Sequence, residues 1–326
     1  MAHKPLPIFS NMPWHIKQKI VDFTDPITQR SLQTCSKELQ NAVNKAPSHY
    51  NVLNITLFAE KVRILLTCRS ESGWTSRLHR LSVSFEQNDR NVVIVKKSGT
   101  TLGVEENFLD EAIKFLGKIF SKTPRKLVTV QEVDFAVREG YDEKIYEFLQ
   151  KAKTTFGFIY TRKVELCIFR NDQIAAAVLQ AFHPGTLKTI LLYFRDSRGF
   201  DWDMMLTEVT ATEQWMLARE FFCRGMRCMM PYDKWKHFEV KEILIPMIHL
   251  SDVKDIIQRF GQSRNWDEAT FYSQLPEDVL DYFSRFELPR SSKNANKNHR
   301  FINLPNNYYT CLTWSPNGFR LCKHRR

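Results

Sequence analysis

Residues 7–46 read PIFSNMPWHIKQKIVDFTDPITQRSLQTCSKELQNAVNKA, and this stretch decides how the rest of the chain is understood. It holds three short helical patterns in about forty residues, near the size below which a domain seldom folds unaided. Ser10 or Asn11 can cap the first, Pro13 suits its first turn, and Trp14, Ile16, Ile20 and Phe23 follow at three- and four-residue steps. Asp25-Pro26 restarts the chain with a capping acid and a proline at the first helical position, and Ile27, Leu32 and Cys35 follow. Ser36 caps a third pattern through Leu39 and Val43, which Pro47 ends.

The order Met12-Pro13, Ile16, Ile20, Asp25-Pro26, Leu32, Cys35-Ser36-Lys37 and Leu39 resembles an F-box, the three-helix motif that docks substrate receptors onto cullin-RING ubiquitin ligases. The usual Leu-Pro is Met-Pro here, which keeps an unbranched apolar side chain of similar volume. The resemblance implies that apolar surface too extensive for so small a unit to bury in itself is covered by a Skp-type adaptor, and through it a cullin. On that reading Met12, Pro13, Ile16, Ile20, Leu32, Cys35 and Leu39 shape the adaptor-binding unit, some of them within its own small core.

A chain of 326 residues with 43% apolar content can bury a large core, and its length allows about two domains. Its opening residues do not resemble a signal peptide, and no apolar run reaches the roughly twenty residues of a membrane span, so a soluble protein of the cytoplasm or nucleus is expected. Seven scattered cysteines with no C-x-x-C pair suggest neither a disulfide framework nor a standard zinc site. Cys223, Cys228 and His237 lack the fourth ligand and the short spacing of a zinc site. No cofactor is implied.

The 47 Lys and Arg exceed the 36 Asp and Glu by 11. Eight basic residues and no acid lie between Leu288 and Arg326, so the remainder carries only +3 and lacks the basic stripe of a whole-domain nucleic-acid binder.

From Tyr50 to Lys97 the period changes to alternating. Val52–Phe58, Val62–Leu66, Leu81–Phe85 and Val92–Val95 predict a small antiparallel sheet, with 86–91 as a hairpin loop, and Ser98-Gly99-Thr100 and Gly103 break the pattern. Phe108, Ala112, Phe115, Leu116 and Ile119 predict a helix that Pro124 stops.

Onward to Gly261, apolar strands alternate with capped amphipathic helices. Strand Val130–Val137 precedes a helix from Asp142 with Ile145, Phe148, Leu149 and Ala152. Strand Val164–Phe169 precedes one capped by Asn171 or Asp172, carrying Ile174, Val178 and Phe182. Strand Thr189–Phe194 leads to a helix from Thr212 with Trp215, Ala218 and Phe222. Arg227–Met230 and Ile243–Ile245 are further strands, and Ser251 caps a helix with Val253, Ile256, Ile257 and Phe260 that Gly261 closes. The spacing from Ile190 to Ile243 is near two repeats of leucine-rich size, about 20 to 29 residues each, which predicts a solenoid of stacked strand and helix units.

The residues Leu179, His183-Pro184-Gly185-Thr186-Leu187, Ile190, Glu213-Gln214-Trp215, Ala218 and His237-Phe238 are similar to the FTH domain that follows the F-box in a large nematode-type family of F-box proteins. The family's usual basic residue after the Trp is Met216 here. The two resemblances together run from Pro7 to Gly261.

Trp215 and Phe238 fit packing positions, and His183 before Pro184-Gly185 fits a turn. Asp201 and Asp203 around Trp202 lack the glycine turn and further carboxylates of a calcium loop. P-loop, dinucleotide, G-x-S-x-G and H-E-x-x-H patterns do not occur. Beyond Trp266, Phe271, Tyr272, Tyr282, Phe283 and Phe286 recur with acids, Pro276-Glu277-Asp278 can start a helix, and Arg290–Arg300 reads as a polar linker. Phe301–Leu321, with a Pro316-Asn317-Gly318 turn, predicts a hairpin.

The expected architecture is α+β. A three-helix F-box over 1–48 comes first, then a strand and helix repeat domain over 49–262 that opens with the small antiparallel sheet, and a basic aromatic extension over 263–326. The expected role is a non-catalytic substrate receptor of an SCF-type ubiquitin ligase, with a protein target and no membrane partner. The alternative is a nucleic-acid or anionic-surface binder that uses the basic tail with Tyr308, Tyr309 and Trp314 as stacking platforms.

Overall fold

The computed structural model describes residues 12–22, 24, 26–33, 35–46, 48–70, 77–87, 93–97, 100–104, 107–120, 128–137, 142–167, 172–193, 203–286, 298–303 and 308–325. Phe23, Asp25, Pro47, the 88–91 part of the expected hairpin loop, Ser98-Gly99, Pro124, Ile168-Phe169, Asn171, Phe194, Asp201-Trp202 and the 290–297 part of the expected linker lie outside them. The chain mixes helices with parallel and antiparallel strands, divided between two compact units.

The first unit spans residues 1–162 with 181–186. Three short helices open it: α1 (Trp14–Asp22), α2 (Pro26–Gln33) and α3 (Lys37–Lys45). The Pro13 carbonyl accepts the Ile16 and Lys17 amides at 3.0 and 3.2 Å, and Pro26 occupies the first position of α2, where its missing N–H costs nothing. Ser36 caps α3 by accepting the Leu39 amide at 3.2 Å.

Next come β1 (Ser48–Phe58), β2 (Lys61–Ser70), β3 (Arg77–Gln87), β4 (Val93–Lys97) and β5 (Thr100–Val104), each antiparallel to the one before. The segment expected to break the sheet instead supplies β5, whose Thr100 and Thr101 favour an extended backbone and whose pairing with β4 outweighs the weakening effect of Gly103. Then α4 (Phe108–Phe120), β6 (Val128–Val137), which runs parallel to β1, and α5 (Asp142–Phe156) follow. Leu53, Ile55, Ile64, Val83, Val133 and Phe135 on the strands, with Leu116 and Phe148 on the helices, form the core. Gly117 lets α4 approach α5 closely, since a Cβ there would lie 2.8 Å from Thr155 Cγ2.

The second unit spans 163–180 with 187–326. Its strands begin in β7 (Tyr160–Cys167), from Lys163 onward, followed by α6 (Asp172–Leu179), β8 (Thr189–Tyr193), β9 (Asp203–Met205), α7 (Thr207–Thr210), α8 (Glu213–Leu217), β10 (Glu220–Arg224), β11 (Arg227–Met229) and β12 (Glu239–Met247). After them come α9 (Leu250–Gln262), β13 (Glu268–Gln274), α10 (Glu277–Ser284), β14 (His299–Asn303), β15 (Tyr308–Ser315) and β16 (Gly318–Arg325). Strands β7, β8, β10, β12 and β13 pair in parallel in that order, and β16, β15 and β14 continue from β13 in antiparallel pairs. A separate parallel pair joins β9 and β11.

Several expected boundaries move. The helix at Trp215 ends at Leu217, and Phe222 lies in β10; a helix and a strand deliver the same apolar residues to one core, so local spacing does not separate them. Phe182 lies past α6 and bridges to Ile159. Asp172 begins α6, and its carboxylate accepts the Glu208 and Val209 amides at 2.6 and 3.0 Å, so it serves α7. His249, not Ser251, precedes α9, and Gly261 lies inside it. The expected hairpin forms as β15 and β16, and β13 is an added strand.

Candidate functional site

The three opening helices close over a very small core. Val21, Ala42, Val43 and Ala46 are fully buried, and Leu32 and Leu39 pack partly buried against them. Polar ties complete it: Gln29 Nε2 donates to the Val21 and Thr24 carbonyls, and Ser48 Oγ donates to Gln29 Oε1. Lys17, almost fully buried, reaches Glu38 Oε1 at 2.8 Å and joins α1 to α3.

With Lys17 and Val21 turned inward, α1 presents an apolar strip on another side. Pro13 is exposed, and Ile16 and Ile20, one helical turn apart, are each 37% exposed. Trp14 is 40% exposed. Met12 is half-buried, and Cys35 is exposed in the turn between α2 and α3 with its thiol directed at the Ser31 carbonyl. Of the seven residues read from the sequence, Pro13, Ile16 and Ile20 share this strip while Leu32 and Leu39 serve the core.

Two further clusters hold the remaining motif residues. His183 stacks on Tyr160 at 4.8 Å and meets Phe158 edge-on, and its carbonyl accepts the Thr186 amide to shape the Pro184-Gly185 turn. Trp215 is buried edge-on against Phe221 and Phe238, its Nε1 donates to the Lys234 carbonyl at 2.8 Å, and its own carbonyl faces His237 Nε2 at 3.0 Å. These are packing and turn roles.

A family model of the F-box domain matches residues 9–51, and one of the FTH domain matches residues 143–286. The chain is an F-box protein with an FTH domain. No curated protein matches it in sequence. The FTH match in this F-box protein runs past Gly261 to Phe286, taking in β13 and α10, because Trp266 and Phe271 are core residues of the same unit, buried with Val240 and Phe260.

The thiols of Cys223 and Cys228 lie 2.6 Å apart in the core, where burial pushes the Cys223 thiol up. Among the described residues no three His, Cys, Asp or Glu side chains gather as a metal set. Asp203 pairs with Arg227 at 3.1 Å.

The basic tail is partly consumed by folding. Lys323 donates to the Phe260 and Ser263 carbonyls at the end of α9, Arg320 pairs with Glu268, and the Arg300 guanidinium lies 5.3 Å from the Trp314 ring centre. Tyr308 is exposed, while Tyr309 stacks on His324 at 5.3 Å. No helix among the described residues is long and apolar enough to cross a membrane.

Proposed function

We propose that this F-box protein is the substrate-recognition subunit of an SCF-type cullin-RING ubiquitin ligase. F-box domains bind Skp-type adaptors and thereby a cullin. The observation that carries the reading is the F-box match over α1 to α3 together with the exposed Pro13, Ile16 and Ile20 beside so small a core. Fully burying an isoleucine is worth about 1.5–3 kcal/mol, so the exposed third of two of them offers a partner roughly 1–2 kcal/mol at the centre of a contact.

In this account Met12, Pro13, Ile16, Ile20, Leu32, Cys35 and Leu39 shape the adaptor-binding unit, the last residues by holding α2 and α3 in place. The strand and helix units of 49–262 stack in the manner of leucine-rich repeats and present the target. The 263–326 extension adds its hairpin to that domain. The contribution to ubiquitination is bridging, not bond chemistry, and the work is done in the cytoplasm or nucleus. Affinity purification of the tagged chain from cells with the proteasome blocked, read by mass spectrometry, tests this: a Skp-type adaptor and a cullin are expected together, and their joint absence contradicts the reading.

A further inference from the structure

Of the cysteines, Cys68, Cys167, Cys223 and Cys228 are buried and Cys35 is exposed, while Cys311 and Cys322 are half-buried. These last two are neighbours. The register of β15 and β16 sets Cys311 opposite Cys322, so both side chains leave the same face of the hairpin. Directly opposed residues of antiparallel strands have Cα atoms about 4.5–5.5 Å apart, inside the span of about 4.4–6.8 Å that a disulfide bridges. The two strands therefore already stand where a bond between these sulfurs needs no shift of backbone.

A base completes the group. His299 of β14 brings its Nε2 to 2.7 Å from Cys311 Sγ, and its ring meets Phe301 edge-on. Phe301 lies opposite Cys311 on the β14 side, and Glu268 of β13 lies opposite Cys322 on the other, with its carboxylate paired to Arg320. Burial pushes both thiols up, so neither ionises readily unaided. The imidazole matters for that reason: the thiolate is the nucleophile, and a base at hydrogen-bond distance from the sulfur takes the proton as the sulfur attacks.

An accessible thiol, a means of removing its proton and a second thiol within reach are what a reversible oxidation site requires. We propose that Cys311 and Cys322 form such a site, at which a hydroperoxide converts the pair to a cross-strand disulfide, with Cys311 reacting first and Cys322 resolving. In the first step the Cys311 sulfur attacks one peroxide oxygen: an S–O bond forms, the O–O bond breaks, and the proton taken by His299 passes to the leaving oxygen, which departs as alcohol or water. In the second the Cys322 sulfur attacks the Cys311 sulfur: the S–S bond forms, the S–O bond breaks, and the hydroxide leaves with the Cys322 proton as water. Two thiols together give up two electrons, and the peroxide accepts them. The site does not rest on the ligase reading.

The test treats the full chain with hydrogen peroxide, stops the reaction by alkylation in denaturant and maps the thiols by peptide mass spectrometry. A peptide linking Cys311 to Cys322, lighter by two hydrogens, is expected before Cys35 is oxidised. His299→Gln, with circular dichroism matching the parent, is expected to slow its formation at least about tenfold. Cys322→Ser is expected to stop at a sulfenic acid on Cys311, trapped by dimedone. The first result is read on the unaltered chain and so does not depend on how a variant folds. Absence of the linked peptide, linkage of Cys223 to Cys228 in its place, an unchanged rate in His299→Gln, or no dimedone adduct on Cys311 in Cys322→Ser would overturn the proposal.

Discussion

Lys17 of α1 and Glu38 of α3 are joined at 2.8 Å, with the lysine side chain 4% exposed and the glutamate side chain 51% exposed. This pair fixes which side of α1 faces inward, and so leaves Ile16 and Ile20 outward. Glu38→Ala removes the partner and leaves a buried ammonium less well compensated. It should lower stability by about 1–3 kcal/mol in urea denaturation and weaken adaptor capture without touching the apolar strip.

Trp215 anchors the second unit by its indole donor as well as by its area. Trp215→Phe leaves the Lys234 carbonyl without that donor and opens space beside Phe221 and Phe238. A loss of about 2–3 kcal/mol is expected in the same assay, with the protein still folded at 25 °C.

Gly318 begins β16 at φ 148°, a conformation that disfavours any Cβ, and a Cβ there would fall 2.2 Å from the Phe271 carbonyl oxygen. Gly318→Ala should cost about 2–4 kcal/mol and loosen the pairing of β16 with β13, seen as faster amide exchange at Phe319 and Phe271.

Burial works to raise the Glu239 carboxyl, but the Arg219 and Ser263 hydrogen bonds outweigh it and hold the group below its ordinary value of 4.5. A folded-state value lower than the unfolded one means the unfolded chain takes up the proton first as pH falls. The stability contributed is complete above about pH 4.5 and lost as the pH drops through the folded value. Glu239→Gln should accordingly be less stable than the parent at pH 7, and the gap should narrow as the pH falls below 4.5 in thermal unfolding.

The elements that could be read in advance are those whose information is local. The alternation in Val52–Phe58 and Leu81–Phe85 and the one-sided apolar face of Phe108–Ile119 each place residues that the fold buries. What escaped depends on distant residues. Gly261 reads as a helix end, yet α9 continues to Gln262, where Lys323, sixty residues away in sequence, satisfies the Phe260 and Ser263 carbonyls. Glu268–Gln274 buries only Ala269, Phe271 and Ser273, and Thr270 between them with Glu268 and Gln274 at the ends hid a strand.

The opening helices show the same division. Apolar spacing marks Ile16, Ile20, Leu32 and Leu39 alike, but only the folded arrangement separates strip from core, since Lys17 is turned inward against every local expectation.

The most direct test of the account is the binding of the purified chain to a purified Skp-type adaptor, followed by calorimetry beside an Ile20→Asp variant whose circular dichroism matches the parent. The account predicts one-to-one binding by the parent and none measurable by the variant, because the new carboxylate would be desolvated without a partner. No binding by the parent, or equal binding by parent and variant, would contradict it.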